Sequence, residues 1–284
     1  MGADIIICTP GRMIAHINMG YVNMKNLRFL ILDEADRMLD MGFQDDINKI
    51  IKALPQKRQN LLFSATMPPK IRELARKLLH QPAEINIAIS KPPEKIVQKA
   101  FVVYEPQKLP LLIMLLKQTP YKNALVFCSR KQTVKQVRRE LKHAKFNIEE
   151  IHSDLEQAQR ENVLSAFSSG RIPLLVATDI LSRGIDIDTI DLVINYDVPG
   201  DGEDYVHRIG RTARAEADGV AFTLVGEKEQ NKFAAIEQLI DKEIEKSPIP
   251  AELGATPAWH PRPGNGNKKR KSTFYRHHRD KKRK

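Results

Sequence analysis

Short apolar runs alternate with longer amphipathic ones along most of the chain. The runs Asp4–Cys8, Leu27–Leu32, Asn60–Ser64, Ile85–Ile89, Ala124–Cys128, Leu174–Ala177, Leu192–Asn195 and Val220–Val225 are bounded by polar or Gly/Pro residues. That length and setting predict buried strands. Between them, Met67–Leu79, Gln132–Ala144, Gln157–Phe167 and Lys228–Ile240 carry the helical period. Strand, helix, strand at this spacing predicts an α/β fold, a parallel sheet with helices on both faces. Ser90-Lys91-Pro92-Pro93-Glu94 breaks the pattern, because two prolines block both helix and central strand. Residues 90–97 are therefore expected to link a domain at 1–89 to a second at 98–246. A further break at Ser247-Pro248-Ile249-Pro250 opens a tail, 247–284, which is too poor in apolar residues to pack and is expected to be disordered. A parallel-sheet nucleotide domain ordinarily begins with its phosphate-binding turn. Here the first strand candidate already starts at residue 4, so 1–89 reads as a domain lacking its front half.

The 284 residues are 42% hydrophobic, enough for real cores. The net charge of +11 points to an acidic partner, most often nucleic acid. It is unevenly spread. From Asn265 to Lys284 there are ten Lys or Arg and one Asp, leaving +2 for everything before. The two cysteines, Cys8 and Cys128, each fall in a predicted buried strand, which argues for a reducing, cytoplasmic compartment over a disulfide framework. Met1-Gly2-Ala3-Asp4 lacks the basic start of a secretory signal, and the longest apolar run, Leu111–Leu116, is too short to cross a bilayer. No membrane partner is expected.

Candidate chemistry sits at strand ends, where parallel sheets bind their ligands. Leu27–Leu32 ends in Asp33 and Glu34. Two adjacent carboxylates repel each other, and a divalent cation relieves that cost. The plainer alternative is a helix cap with an acidic first turn. Val176–Asp186 follows another strand. Its Thr178 and Asp179 can cap a helix or bind phosphate, Gly184 allows a tight turn, and Asp186 offers a carboxylate to a ribose hydroxyl. In His207-Arg208-Ile209-Gly210-Arg211-Thr212-Ala213-Arg214, a continuous helix would place Arg208, Arg211 and Arg214 on one face. Three cations in a row suit a triphosphate, or form a solvated basic face.

In order and spacing, Thr9-Pro10-Gly11-Arg12, Asp33-Glu34-Ala35-Asp36, Ser64-Ala65-Thr66, Val126–Lys131, Gln157 with Arg160, Val176–Asp186 and His207–Arg214 resemble the successive motifs of DEAD-box RNA helicases, most closely the bacterial RhlE-like branch. The resemblance covers nearly all of residues 1 to about 245. It implies two RecA-like domains of helicase superfamily 2, the first truncated, and an ATP-dependent activity that opens RNA duplexes locally. Carried over by motif, Asp33 would serve Mg²⁺ and Glu34 the attacking water. Ser64 and Thr66 would couple the nucleotide site to closure, Arg211 and Arg214 would face the γ-phosphate, His207 the interdomain interface and Asp186 the nucleotide sugar. Thr9, Arg12, Arg130, Arg160 and Thr178 would line an RNA path read through phosphate and sugar. ATP, Mg²⁺ and RNA are the implied ligands, with a monomer and partners from ribosome assembly or RNA decay. Two departures stand out. Ala213 replaces the Gly of many members, and no Gly-Lys pair occurs anywhere, so the G-x-x-x-x-G-K-[ST] phosphate loop is absent from these residues. The chain is expected to bind ATP weakly and turn it over slowly. The alternative is a non-catalytic RNA- or partner-binding module built on the second domain and the basic tail. A DNA motor is disfavoured by the same set of motifs. Lys268–Lys271 and Lys281–Lys284, with Phe274 and Tyr275 between them, read as an RNA tether or as a solubilising tail.

Overall fold

A computed structural model describes residues 3–86, 96–179, 190–212 and 219–261. The chain divides into two compact units, Met1–Ile89 and Ser90–Lys284.

In the first unit, α1 (Pro10–Asn18) starts with a proline at its first turn, where no amide partner is needed. Strands β1 (Phe29–Leu32) and β2 (Gln59–Leu62) pair in parallel, Phe29 opposite Gln59. Around them lie α2 (Ala35–Asp40), α3 (Gln44–Ala53) and α4 (Pro69–Leu78). Side chains alternate across a strand. Leu30 and Leu32 therefore face the small core of Ile47, Leu74 and Leu78, while Phe29 and Ile31 are each 58% exposed on the other face. Helices cover both faces in the expectation but only one here, among the described residues. The run Asp4–Cys8 forms no strand. It pairs with neither β1 nor β2, and Ile5, Ile7 and Cys8 are exposed. An apolar run becomes a buried strand only where a neighbour accepts its hydrogen bonds. Residues 82–86 are likewise irregular, with Ile85 exposed.

The second unit runs β3 (Ile96–Val103), α5 (Glu105–Gln118), β4 (Ala124–Phe127), α6 (Lys131–His143), β5 (Ile148–Ile151), α7 (Gln157–Ser168), β6 (Leu174–Ala177), β7 (Leu192–Asn195), α8 (Gly202–Ile209), β8 (Gly219–Gly226), α9 (Gln230–Ile240) and β9 (Glu245–Lys246). The described strands make one parallel sheet in the order β5-β6-β4-β7-β8-β3-β9. Strands β4, β6 and β7 are buried along their whole length, which explains their unbroken apolar sequences. Helices α5 and α6 pack on one face through Leu111, Leu112, Val134 and Val137. On the other face lie α7, through Phe167, and α8 with α9, through Tyr205, Phe233 and Ile236. The chain leaves β4 towards one edge of the sheet and β7 towards the other. Their carboxyl ends therefore flank a topological switch point, where such sheets bind ligands.

Strand β3 begins at Ile96, inside the stretch read as a linker, and its polar Gln98 is buried with the Tyr205 hydroxyl as donor. The segment 247–261, expected to be disordered tail, instead packs on the second unit. After β9 joins β3, Ile249 and Leu253 settle against the α5 side. The Gln107 side-chain amide donates to the carbonyls of Leu253 and Ala255 (2.7 and 2.9 Å). Trp259 then reaches the α9 side, edge-on to Phe233 at 6.1 Å, with Lys246 Nζ 4.6 Å from its ring centre. Gln230 is buried and meets the segment twice, donating to the Ala258 carbonyl and accepting from the His260 amide. Three spaced apolar anchors and two glutamines suffice to order a proline-rich segment that composition alone marks as loose. Replacing Trp259 with alanine is expected to cost the second unit about 1–2 kcal/mol. Chemical denaturation of the variant measures this, and an unchanged midpoint would contradict the clasp.

Candidate nucleotide and RNA site

In the first unit the acidic tetrapeptide sits at the carboxyl end of β1. The strand ladder persists past the strands, with Phe63 N–H donating to Leu32 and Ala35 N–H to Phe63 (2.8 and 3.1 Å). Asp33 and Glu34 are both exposed, and Asp33 accepts the Glu34 amide at 2.9 Å. Glu34 adopts φ 50°, ψ 48°, the left-handed region that non-glycine residues seldom occupy. Such strain persists only where the surroundings enforce it. The enforcing residue is Asp36, which is 6% exposed. Its carboxylate accepts both the amide and the hydroxyl of Thr66 (2.8 and 2.9 Å), and its own amide donates to Ser64 Oγ (3.1 Å). Burial alone would raise the Asp36 pKa, but the hydrogen bonds from Thr66, Arg37 and Ser64 outweigh it and lower it. Ser64 and Thr66 are thus fixed to the acidic turn. Asp36 is the residue that sequence reasoning passed over. Its signal was there: two hydroxyls in Ser64-Ala65-Thr66 need a partner, and a carboxylate on the first turn of a helix can supply one. Thr9 occupies the cap position of α1 in extended conformation, without a capping side-chain bond, and Arg12 lies on the first turn of that helix, both exposed.

In the second unit, Arg208 and Arg211 do not share a helical face. Helix α8 stops at Ile209, capped by Gly210, where an added Cβ would lie 2.8 Å from the Val206 carbonyl. Arg208 is fully buried and grips Asp179 with two bonds (2.6 and 2.7 Å). The same guanidinium donates to Asn195 Oδ1 and the Asp197 carbonyl and lies 5.0 Å from the centre of the Phe127 ring. A guanidinium so occupied is not available to a triphosphate. Arg211 is half-buried beyond the helix, with its Nε directed to the His207 carbonyl at 3.3 Å. His207 is half-buried on α8. Asp186 and Arg214 lie outside the described residues.

The three residues of this unit assigned to RNA converge on one end of the sheet. Ala177 is in register with Phe127 and with Ile151. One step further come Thr178, Cys128 and His152. Val176, Cys128 and Val134 share one core cluster, so Thr178, two residues after Val176, faces the same side, beneath α6. Thr178 is 8% exposed, yet its hydroxyl has no partner. Arg130 occupies the cap position of α6, exposed, and no side chain caps that helix. Its first-turn amides therefore face the end of the sheet with their positive dipole. Arg160 donates from Nη2 to the Ser153 carbonyl at 3.0 Å, while its Nε is buried without a partner. An uncapped helix start, an unpartnered buried hydroxyl and two arginines suit a phosphodiester.

At the adjacent switch point a second buried cation, Lys108, pairs with Glu229 (2.7 Å), Glu105 (3.1 Å) and Asp197 (3.5 Å). Burial would lower its pKa, but the three carboxylates raise it above the usual lysine value. Burial pushes the neighbouring Tyr196 up to about 12. This cluster keeps Asp197 in place, and Asp197 in turn accepts the Ser129 amide at the end of β4 (2.8 Å).

Comparison with known proteins places these strand ends in a family. The helicase conserved C-terminal domain matches residues 107–216, and the DEAD/DEAH box helicase domain matches residues 1–74. The solved C-terminal domain of the DEAD-box protein Dbp5 is 32% identical, with a TM-score of 0.51. The match covers 55% of this chain and 91% of that domain. The chain belongs to the DEAD-box helicase family. Saccharomyces cerevisiae Dbp5 bound to RNA and ADP BeF3 superposes with a TM-score of 0.77 at 29% identity, over 86% of this chain and 65% of that one. The ATP-dependent RNA helicase CshA of Listeria monocytogenes is 42% identical over 248 residues, 87% of this chain and 48% of the relative. Across such curated relatives of the DEAD-box family the chain spans 34% to 53% of their length.

The DEAD-box turn generates a prediction. Asp36→Ala leaves the Thr66 amide and hydroxyl without their acceptor and is expected to cost about 2 kcal/mol at neutral pH. Because the folded-state pKa of Asp36 is lowered, its contribution is complete above the ordinary carboxylate range and is lost as pH falls through the lowered value. Urea denaturation of both proteins across acidic pH should show the gap closing only there, and a gap independent of pH would contradict the clamp.

Proposed function

We propose that this chain forms part of an ATP-dependent RNA helicase that opens short RNA duplexes locally as it hydrolyses ATP. The observation that carries the RNA half is the unpartnered Thr178 hydroxyl beneath the uncapped start of α6, flanked by Arg130 and Arg160. These residues, with Thr9 and Arg12, hold phosphate and sugar, so sequence preference is slight. The basic segment 265–284 adds a non-specific tether.

The acidic end of β1 suits Mg²⁺. Its donors are the hard carboxylate oxygens of Asp33 and Glu34. That matches an ion taken by one or two carboxylates together with substrate phosphates. Asp33 would hold it, and when bound it supplies charge neutralisation on the phosphates. Glu34, held in its left-handed turn, orients the attacking water. Arg211 and Arg214 stabilise charge on the γ-phosphate, His207 works at the interdomain interface, and Asp186 holds the sugar. Ser64 and Thr66, tied to Asp36, carry the state of the nucleotide site to domain closure. The protein acts as a monomer in the cytoplasm, where the exposed thiol of Cys8 stays reduced.

A second reading holds for these 284 residues acting by themselves. With no Gly-Lys pair in the sequence, the lysine and amide cradle for the β- and γ-phosphates is not among them. The second unit and the basic segment then act as a non-catalytic RNA-binding module. One set of assays covers both readings. The 284-residue chain is expected to bind single-stranded RNA with strong salt dependence and to show little RNA-stimulated ATP turnover, and removal of residues 265–284 should flatten the salt slope. Salt slopes identical with and without that segment would refute the tether. Family-like ATP turnover would refute the assignment of phosphate binding to the missing loop.

A further inference from the structure

At the carboxyl end of the β5–β6 pair, three buried polar atoms lack hydrogen-bond partners: His152 Nε2, Glu150 Oε2 and Thr178 Oγ1. Buried polar atoms are nearly always bonded, so such a cluster needs a reason. His152 is 2% exposed, and its Nε2 stands 3.8 Å from Glu150 Oε2, too far for a direct bond. Its Nδ1 accepts the Asp154 amide at 3.2 Å. That role requires a neutral imidazole with its proton on Nε2. The turn 152–155 is then held from every side. The Leu155 amide donates to the His152 carbonyl, and Arg160 of α7 donates to the Ser153 carbonyl. Lys131 and Lys135 of α6 hold the Asp154 carboxylate at 2.8 and 2.9 Å. Hydrogen bonds from Lys131 and Lys135 lower the pKa of Asp154 to about 2, so it stays charged wherever histidine titrates.

We propose that His152 is a positioning residue for RNA: its neutral imidazole fixes the 152–155 turn, whose Ser153 carbonyl holds Arg160. The proposal rests on the RNA reading of Thr178, Arg130 and Arg160 given above. Protonation of Nδ1 removes the acceptor for the Asp154 amide and releases the turn. The charged groups facing the imidazole are Glu150 on its own strand, Arg138 of α6, which lies 3.9 Å from Glu150 and 2.8 Å from Glu149, the Asp154–Lys131–Lys135 group, and Arg160 of α7. RNA affinity should therefore fall as pH drops through the histidine range, between about 8 and 5.

The test is fluorescence anisotropy of a short single-stranded oligouridine on the full chain, at constant ionic strength across that pH range. It compares the wild type with His152→Asn and His152→Leu. An asparagine oxygen can accept the Asp154 amide at any pH, so His152→Asn should keep neutral-pH affinity within about twofold and lose the acid-side decline. The wild type should weaken about fivefold more than that variant on acidification, and His152→Leu should be about fivefold weaker already at neutral pH. Circular dichroism melts establish which variants fold. Should the leucine variant fail to fold, the comparison of wild type with His152→Asn decides alone. Identical pH profiles for those two proteins overturn the proposal. Unchanged binding after Thr178→Val, or no RNA binding by the wild type at any pH, overturns the RNA reading and this inference with it.

Discussion

The second unit is organised around one buried guanidinium. Arg208 is fully enclosed, and its donors are spent on Asp179 at the end of β6, Asn195 at the end of β7 and the Asp197 carbonyl one turn on, with the Phe127 ring of β4 beside it. Burying a charge is costly unless geometry and additional hydrogen bonds repay the desolvation. Here both conditions are met. As a result the carboxyl ends of three adjacent strands and the last turn of α8 cannot move separately. Thr178, which precedes Asp179, inherits its position from that pairing. Arg211, three residues beyond Arg208, is oriented by the same helix end. One ion pair thus ties a residue assigned to RNA to one assigned to nucleotide.

Much of the fold was legible because buried parallel strands leave a plain trace. Leu174–Ala177 and Leu192–Asn195 match their predicted bounds, and Ala124–Cys128 and Val220–Val225 differ by a residue at one or both ends. The failures have physical causes. Strand β5 reads Ile-Glu-Glu-Ile, and its carboxylates are tolerated because it lies at the edge of the sheet, where Arg138 can reach them. Strand β3 is interrupted by Lys99 and by Gln98, whose partner Tyr205 is far away in sequence. Asp4–Cys8 has the apolar content of a strand but no neighbour to pair with among the described residues. Periodicity registers what a side chain prefers, and pairing depends on which backbone lies next to it.

The site divides in the same way. Asp33, Glu34, Ser64 and Thr66 could be singled out because a contiguous motif carries each of them, whereas the clamp that joins them, Asp36, is a long-range contact. In the second unit the spacing of Arg208, Arg211 and Arg214 suggested one basic face, since spacing cannot say that a helix ends at Gly210. Burial separates the roles: Arg208 braces the strand ends, and Arg211 lies beyond the helix. The clasp at 247–261 was masked by its prolines. Its anchors are single residues, Ile249, Leu253 and Trp259, too sparse to register as a pattern.

The most direct test of the central ion pair is a double-mutant cycle on Arg208 and Asp179, with Arg208→Ala, Asp179→Ala and the double variant compared by urea denaturation at neutral pH. A coupling energy of about 2 kcal/mol or more is expected, with Asp179→Ala costly because it strands the buried Arg208. A coupling within about 0.3 kcal/mol of zero would show that the strand ends and α8 are held by packing alone, and the organising role given to Arg208 would be wrong.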